Sequence, residues 1–151
     1  MSEKNVWSNF NFTTEMTKSA FDYLVEQSNG LTSATKGVLT MEVEALDVID
    51  DSTGSPHPAA LYTLYIVSPP LGNYRKKIIT VLDNAFDRHF PVDIYSNVED
   101  RKILNVSEDD FLTTIEEILS RKTVKSAIEE LYKLSYNVAK DNRADSPDET
   151  S

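Results

Sequence analysis

Cysteine is absent from this 151-residue chain, and histidine is limited to His57 and His89. Without cysteine the chain has no disulfide framework, no thiolate metal site and no thiol nucleophile. Two isolated histidines do not supply the ligand set of a zinc site either. We therefore predict that the protein holds no metal.

The motifs of common active sites are missing as well. The chain has four glycines, and none of them falls in the GxxxxGK or GxGxxG spacings that cradle phosphates, or in the GxSxG turn of serine hydrolases. An enzyme that uses only Lys, Tyr and carboxylates stays an open alternative, but no motif points to one. We predict a non-enzymatic protein without a cofactor.

Long apolar segments are also absent. No stretch approaches the ~18 uninterrupted apolar residues that a membrane helix needs. Residues 1–16 lack the apolar segment of a secretory signal peptide. We expect a cytoplasmic protein that does not associate with membranes.

Basic residues are scarce in the first half of the chain. Residues 1–74 contain three basic and nine acidic residues, and the formal net charge of the whole chain is −10. This charge repels nucleic acid at long range, so we expect no direct nucleic-acid binding. It suits a protein partner with a basic surface, although solubility alone also explains an acidic composition.

What the chain does contain is enough apolar residues for one folded domain. Hydrophobic residues make up 40% of the chain and charged residues 26%, which is typical of a soluble domain. We place this domain at residues 13–139. It lies between a loosely ordered N-terminal arm at 1–12 and a disordered acidic tail at 140–151.

Hydrophobic periodicity predicts the elements of that domain. We expect an α/β or α+β fold in which a mixed sheet of three or four strands packs with about four helices, in the order α-β-β-α-β-(β)-α-α. Asn29 and Gly30 should end the first helix. The predicted helices span 13–27, 74–90, 108–119 and 124–139, and the predicted strands span 37–49, 61–67 and 92–95, with 102–106 as an optional fourth.

The stretch 59–97 is predicted to form a strand–helix–strand unit. Its apolar strand must stop at Pro69-Pro70, because neither proline can donate to a strand ladder. The helix after it is inferred from an apolar stripe at helical spacing, formed by Ile78, Val81, Leu82, Ala85 and Phe86. A strand at 74–83, folded back on 61–67 as a hairpin, is the open alternative.

The turn at 68–77 is a candidate anion site. Asn73 is a suitable N-cap for the predicted helix. Arg75, Lys76 and Lys77 then occupy its first turn, where cations oppose the helix dipole by ~0.3–1 kcal/mol each. A bound phosphate or nucleotide would offset that cost, although exposed lysines are commonly only solvated.

An acidic strip is the candidate surface for a protein partner. It contains Glu42, Glu44, Asp47, Asp50 and Asp51. Carboxylates on one strand also suggest a magnesium nuclease, but the lysine that such sites carry two residues after the second acid is missing. The solvent face of a strand is the simplest interpretation.

Tyrosines are the second group of candidates for partner binding. Tyr62, Tyr74 and Tyr95 lie in or beside the predicted strand–helix–strand unit. Tyrosine is enriched at protein interfaces, but it is equally common in sheets.

These observations favour a protein that binds another macromolecule. The leading hypothesis is a small acidic inhibitor, similar in kind to immunity, antitoxin or anti-defence proteins, that occludes a partner. The alternatives are an anion-binding domain or enzyme that uses the turn at 68–77, and a structural subunit that forms a homo-oligomer through its tyrosines.

Overall fold

A computed structural model of the chain describes residues 18–51, 54–84 and 89–144, and the side chains within these ranges up to residue 141. The predicted arm at 1–12 and the end of the predicted tail, 145–151, lie outside the described residues. The elements are α1 Ala20–Glu26, α2 Ser28–Ala34, β1 Thr40–Asp50, β2 His57–Ser68, β3 Tyr74–Asp83, β4 Val92–Ser96, β5 Arg101–Val106, α3 Glu108–Ser120 and α4 Lys122–Ala144.

The five strands form one antiparallel sheet in the order β1-β2-β3-β4-β5. Each strand pairs with the next one along the chain, and helices come before and after the sheet, so this is a single α+β domain. The predicted class, α/β or α+β, is therefore confirmed, and the fold is α+β. The expectation of a mixed sheet of three or four strands was wrong, because all five strands are antiparallel.

The predicted helix at 74–90 is also wrong, since residues 74–83 form β3 and pair with β2 from Ser68↔Tyr74 to Ala60↔Asp83. The hairpin alternative is the correct one. A β-bulge explains the error: Leu64 pairs with Ile79 and Tyr65 with Lys77, so Ile78 is an extra residue in β3. Ile78 and Ile79 are both fully buried. Two consecutive buried residues interrupt the alternation of a strand and give an apolar spacing that resembles a helix.

The turn between β2 and β3 follows from its residues. The prolines end β2 at Ser68 as predicted, and Pro69–Leu71 form one short 3-10 turn. Gly72 and Asn73 then adopt left-handed backbone conformations, with φ of 69° and 63°. Both residue types tolerate that conformation. Asn73 is thus a turn residue, and its predicted role as a helix N-cap was wrong.

Side-chain caps mark the starts of two helices, α1 and α3. Ser19 caps α1 and forms a capping box with Asp22. Ser107 caps α3, whose first turn carries three acidic residues, where the helix dipole favours them. Gly30 lies inside α2, so the predicted helix end at Asn29-Gly30 was wrong, and α4 continues to Ala144, past residue 139. Residues 13–17, the start of the predicted helix at 13–27, lie outside the described residues.

The helices pack on one face of the sheet. That face carries Leu64 of β2, Ile79 of β3 and Ile94 of β4, all at most 2% exposed. Phe111 of α3 is fully buried and forms ring contacts with Tyr23 of α1 and with Phe90. Side chains of one strand alternate between the two faces, so the opposite face carries Glu42, Glu44, Tyr65 and Arg75.

A buried hydroxyl pair joins α4 to β2. The Ser68 and Ser135 oxygens lie 2.6 Å apart, and both side chains are fully buried. The Ser135 hydroxyl donates its one hydrogen to the Leu131 carbonyl at 2.7 Å. Ser68 must therefore donate to Ser135, which makes the pair directional.

Because Ser68 donates and Ser135 accepts, replacing the two serines should lower the free energy of unfolding by different amounts. Ser135→Ala removes the acceptor of the buried Ser68 hydroxyl and should lower the free energy of unfolding by about 1–3 kcal/mol. Ser68→Ala leaves the Ser135 donor satisfied and should cost only about 0.5–1.5 kcal/mol. Urea unfolding of both variants and of the double variant tests this. A double variant that loses the sum of the two single losses, or equal single losses, would contradict the assignment.

Candidate functional site

β1 is a long edge strand. All eleven of its residues pair with β2, from Thr40↔Val67 to Asp50↔His57, and no other described strand pairs with it. The residues from Glu44 to Asp47 are all exposed, on both faces of the strand. Leu46 and Ile49 are 55% and 67% exposed. Within the part of the chain that the structure describes, β1 thus presents a sheet edge with exposed side chains on both faces.

Glu42 and Glu44 are held on the face away from the helices by Arg75 of β3. The guanidinium nitrogens lie 3.4 Å from Glu42 Oε1 and 3.5 Å from Glu44 Oε2. The guanidinium carbon lies 3.9 Å from the centre of the Tyr65 ring, the distance of a close cation–π contact. The stack orients Arg75 between two acids that a strand places about 6.8 Å apart.

This arrangement leaves negative charge at the edge. Two carboxylates share one guanidinium, so the group carries a net charge of −1 and its acids are half exposed. Exposed ion pairs of this kind contribute about 0–1 kcal/mol to stability. We infer that the Arg75 contacts orient the two carboxylates more than they stabilise the fold.

The other members of the acidic strip do not join this group. Asp47 is exposed on the helix-bearing face, opposite Ala60. Asp50 is buried, accepts a hydrogen bond from the Asn84 amide at 3.1 Å and lies 3.7 Å from His57 Nε2. Asp51 is exposed just beyond the end of β1. Glu42 and Glu44 are therefore the pair that the fold brings together.

The described residues contain no cluster of three or more His, Asp or Glu side chains with metal-site geometry. Asp83 and His89, which lie close in sequence, do meet: His89 Nδ1 is 3.2 Å from Asp83 Oδ2. The Tyr62 hydroxyl is the third member of this group, with its oxygen 3.5 Å from the buried Asp83 Oδ2.

The candidate anion residues do not converge. Arg75 and Lys77 point to the face away from the helices, and Lys76 points to the helix-bearing face. Asn73 lies in the turn before them. Because no helix begins at Tyr74, the helix-terminus argument for an anion site no longer applies.

The candidate tyrosines are also dispersed. Tyr62 is buried under α1, where its ring lies 5.6 Å from that of Phe21. Tyr74 is 49% exposed at the start of β3. Tyr95 of β4 faces away from the helices and donates a hydrogen bond to Asp100. The tyrosine at the acidic pair is Tyr65, a further tyrosine of the stretch 59–97.

An apolar cavity of about 640 Å³ opens on the helix-bearing face of the sheet. All four helices and the sheet contribute to its lining, through Leu24, Gln27, Gly30, Leu31, Met41, Leu64, Ile66, Leu112, Ile115, Glu116, Leu119, Ser120, Lys125 and Ile128. Periodicity identifies most of these apolar positions as inward-facing. It does not show whether the facing side chains meet or leave a space.

Comparisons of the chain with protein family models, with characterised proteins and with solved structures gave no match. Among the described residues, no helix is both long and apolar enough to cross a membrane. The edge strand, the acidic pair and the cavity are the features of the described residues that point to a function.

Two tyrosines, Tyr62 beside Asp83 and Tyr23 beside Glu108, make the free energy of unfolding depend on pH in the alkaline range. Burial raises the pKa of Tyr62 above its usual value of 10.0, and the charge of Asp83 raises it further. Tyr23, which donates to Glu108 at 2.7 Å, also has a raised pKa, chiefly because of that hydrogen bond. Both hydroxyls favour the protonated form in the folded state, so their contribution is complete below about pH 10 and is lost as the pH rises through the folded pKa.

Tyr62→Phe should make the free energy of unfolding less dependent on pH above about pH 10, since it removes one of these groups. Urea unfolding at a series of alkaline pH values measures this dependence. Part of the fall should remain because of Tyr23. Tyr136→Phe, which removes an exposed hydroxyl, is the control and should leave the curve unchanged. A Tyr62→Phe curve parallel to that of the unmodified protein would contradict the assignment.

Proposed function

We propose that this protein is a non-enzymatic binding protein that recognises another protein by adding a strand of that partner to β1. The observation that carries the proposal is the edge of β1, which no strand other than β2 pairs with among the described residues and which is exposed on both faces from Glu44 to Asp47. Extended segments bind such edges through backbone hydrogen bonds, and alternate side chains supply the specificity.

The side chains of β1 define the partner segment. Glu42 and Glu44 point to one face, and Leu46 follows them on the same face. A strand paired with β1 would place its own alternate residues beside these three, where opposite charges attract. The segment that fits best carries Lys or Arg at two positions separated by one residue, with an apolar residue near Leu46.

The same charges argue against a second copy of this chain as the partner. In natural proteins, charged residues on an edge strand discourage pairing between copies. Two β1 strands brought together would both be acidic, and each chain carries a formal net charge of −10. A basic partner is therefore favoured over a homo-oligomer.

Occlusion of a basic partner is the mode of action that we infer. Inhibitors of the immunity, antitoxin or anti-defence kind work in this way, and an acidic cytoplasmic protein suits a partner whose own substrate is anionic. The alternative anion-binding function at residues 68–77 has lost its helix terminus, and its cations are divided between two faces.

A synthetic peptide can test strand addition before any partner is known. The probe is a short capped peptide in which lysine alternates with valine. It should bind the full chain, with changes in backbone amide chemical shift concentrated in residues 40–50. The double variant Glu42→Gln with Glu44→Gln should weaken binding roughly tenfold, because each exposed ion pair contributes up to ~1 kcal/mol.

Two controls separate pairing from simple charge attraction. Glu129→Gln with Glu130→Gln removes the same charge from exposed positions on α4 and should leave the affinity almost unchanged. The same peptide with alternate backbone nitrogens methylated keeps its charge but cannot pair, so it should not bind. Equal binding of the methylated peptide, or shift changes confined to residues outside β1, would reject the proposal.

A further inference from the structure

The cavity beneath the helices has an apolar interior and a polar mouth. Leu24, Leu64, Ile66 and Ile115 are buried and form its base. Its walls come from half-buried side chains, namely Leu31, Met41, Leu119 and Ile128. Four of the exposed residues at the mouth are polar or charged, namely Gln27, Glu116, Ser120 and Lys125, and the other two are Gly30 and Leu112.

The size of the cavity limits what can enter. Its volume of about 640 Å³ falls within the roughly 300–1,000 Å³ of small-molecule sites. Two turns of a helix with their side chains form a cylinder roughly 10 Å across and 11 Å long, which occupies roughly 850 Å³. A partner helix would therefore enter only with some of its side chains, whereas a flexible hydrocarbon chain fits inside.

The mouth supplies a cation for a head group. Lys125 is exposed, and no described carboxylate lies within ion-pair distance of its ammonium. The Gln27 amide is a second donor at the mouth. Glu116 also lies at the mouth, and its negative charge repels an anion. A negatively charged head group would therefore bind near Lys125 and away from Glu116.

We propose that this cavity binds a single long-chain fatty acid, with the hydrocarbon chain inside and the carboxylate at Lys125. The base and walls are apolar, which suits a saturated chain, and the ammonium and the carboxylate form a charge-assisted hydrogen bond at the mouth. Met41 of β1 contributes to the wall from the helix-bearing face, but Glu42 and Glu44 do not line the cavity, so the site does not depend on the acidic pair that strand addition uses.

Calorimetric titration of the full chain with decanoate, dodecanoate and tetradecanoate tests the proposal. Affinity should rise about fourfold for each added methylene until the cavity is full. Leu31→Trp and Ile128→Trp each fill the cavity from a half-buried wall position, and each should lower the affinity at least tenfold. Melting curves without ligand identify any wall variant that fails to fold, and the other variant then carries the test.

The head group is tested separately. Lys125→Gln should weaken fatty acid binding about tenfold and leave the binding of the matching long-chain alcohol unchanged. Lys133→Gln, an exposed position on α4 outside the lining, is the control and should change neither. Glu42→Gln with Glu44→Gln should also leave fatty acid binding intact, so that failure of this site and failure of strand addition are distinguishable.

The absence of fatty acid binding by the folded chain would overturn the proposal, as would binding that neither wall variant affects. Binding of an amphipathic helical peptide in place of fatty acids would also overturn it, because the cavity would then receive side chains of a partner helix. Equal weakening of the acid and the alcohol by Lys125→Gln would reject the assignment of the carboxylate.

Discussion

The meander connectivity of the sheet determines most of what this molecule presents to solvent. Each strand pairs with its successor in the chain, and no α-helix lies in the described parts of the connections between strands. The helices come from the two ends of the domain and pack on one face. In the described part of the chain the other face therefore has no helix, and β1 is left as an edge. The cavity has the same origin, because it lies where α1–α2 and α3–α4 meet above the sheet.

A free sheet edge can pair with the edge of another chain and so lead to aggregation. The acidic residues of β1 oppose such pairing. Carboxylates on both faces of the strand, from Glu42 to Asp47, discourage pairing between copies. Arg75, stacked on Tyr65, fixes two of them without cancelling their charge. The carboxylates that discourage pairing between copies are thus the same ones that would select a basic strand in the proposed function.

The sequence predicts the elements whose periodicity is undisturbed. β1, β2, β4, β5, α3 and the start of α4 follow from alternation, from the Ser107 cap and from the stop at Pro69-Pro70. β3 fails because a bulge buries Ile78 and Ile79 together, and bulges depend on the partner strand. That error also created the apparent cluster of cations at a helix terminus. The acidic pair was visible as Glu42 and Glu44, but their link to Arg75 depends on register, and the cavity depends on how helices from opposite ends of the domain meet.

The free edge of β1 is the claim on which the functional proposal depends, and backbone hydrogen exchange of the unliganded full chain tests it most directly. In an antiparallel edge strand, the N–H groups of alternate residues point to the neighbouring strand and the others point to solvent. Between residues 41 and 49, slowly and rapidly exchanging amides should therefore alternate. Uniform protection along this stretch would mean that another segment already covers the edge, and it would contradict strand addition to β1.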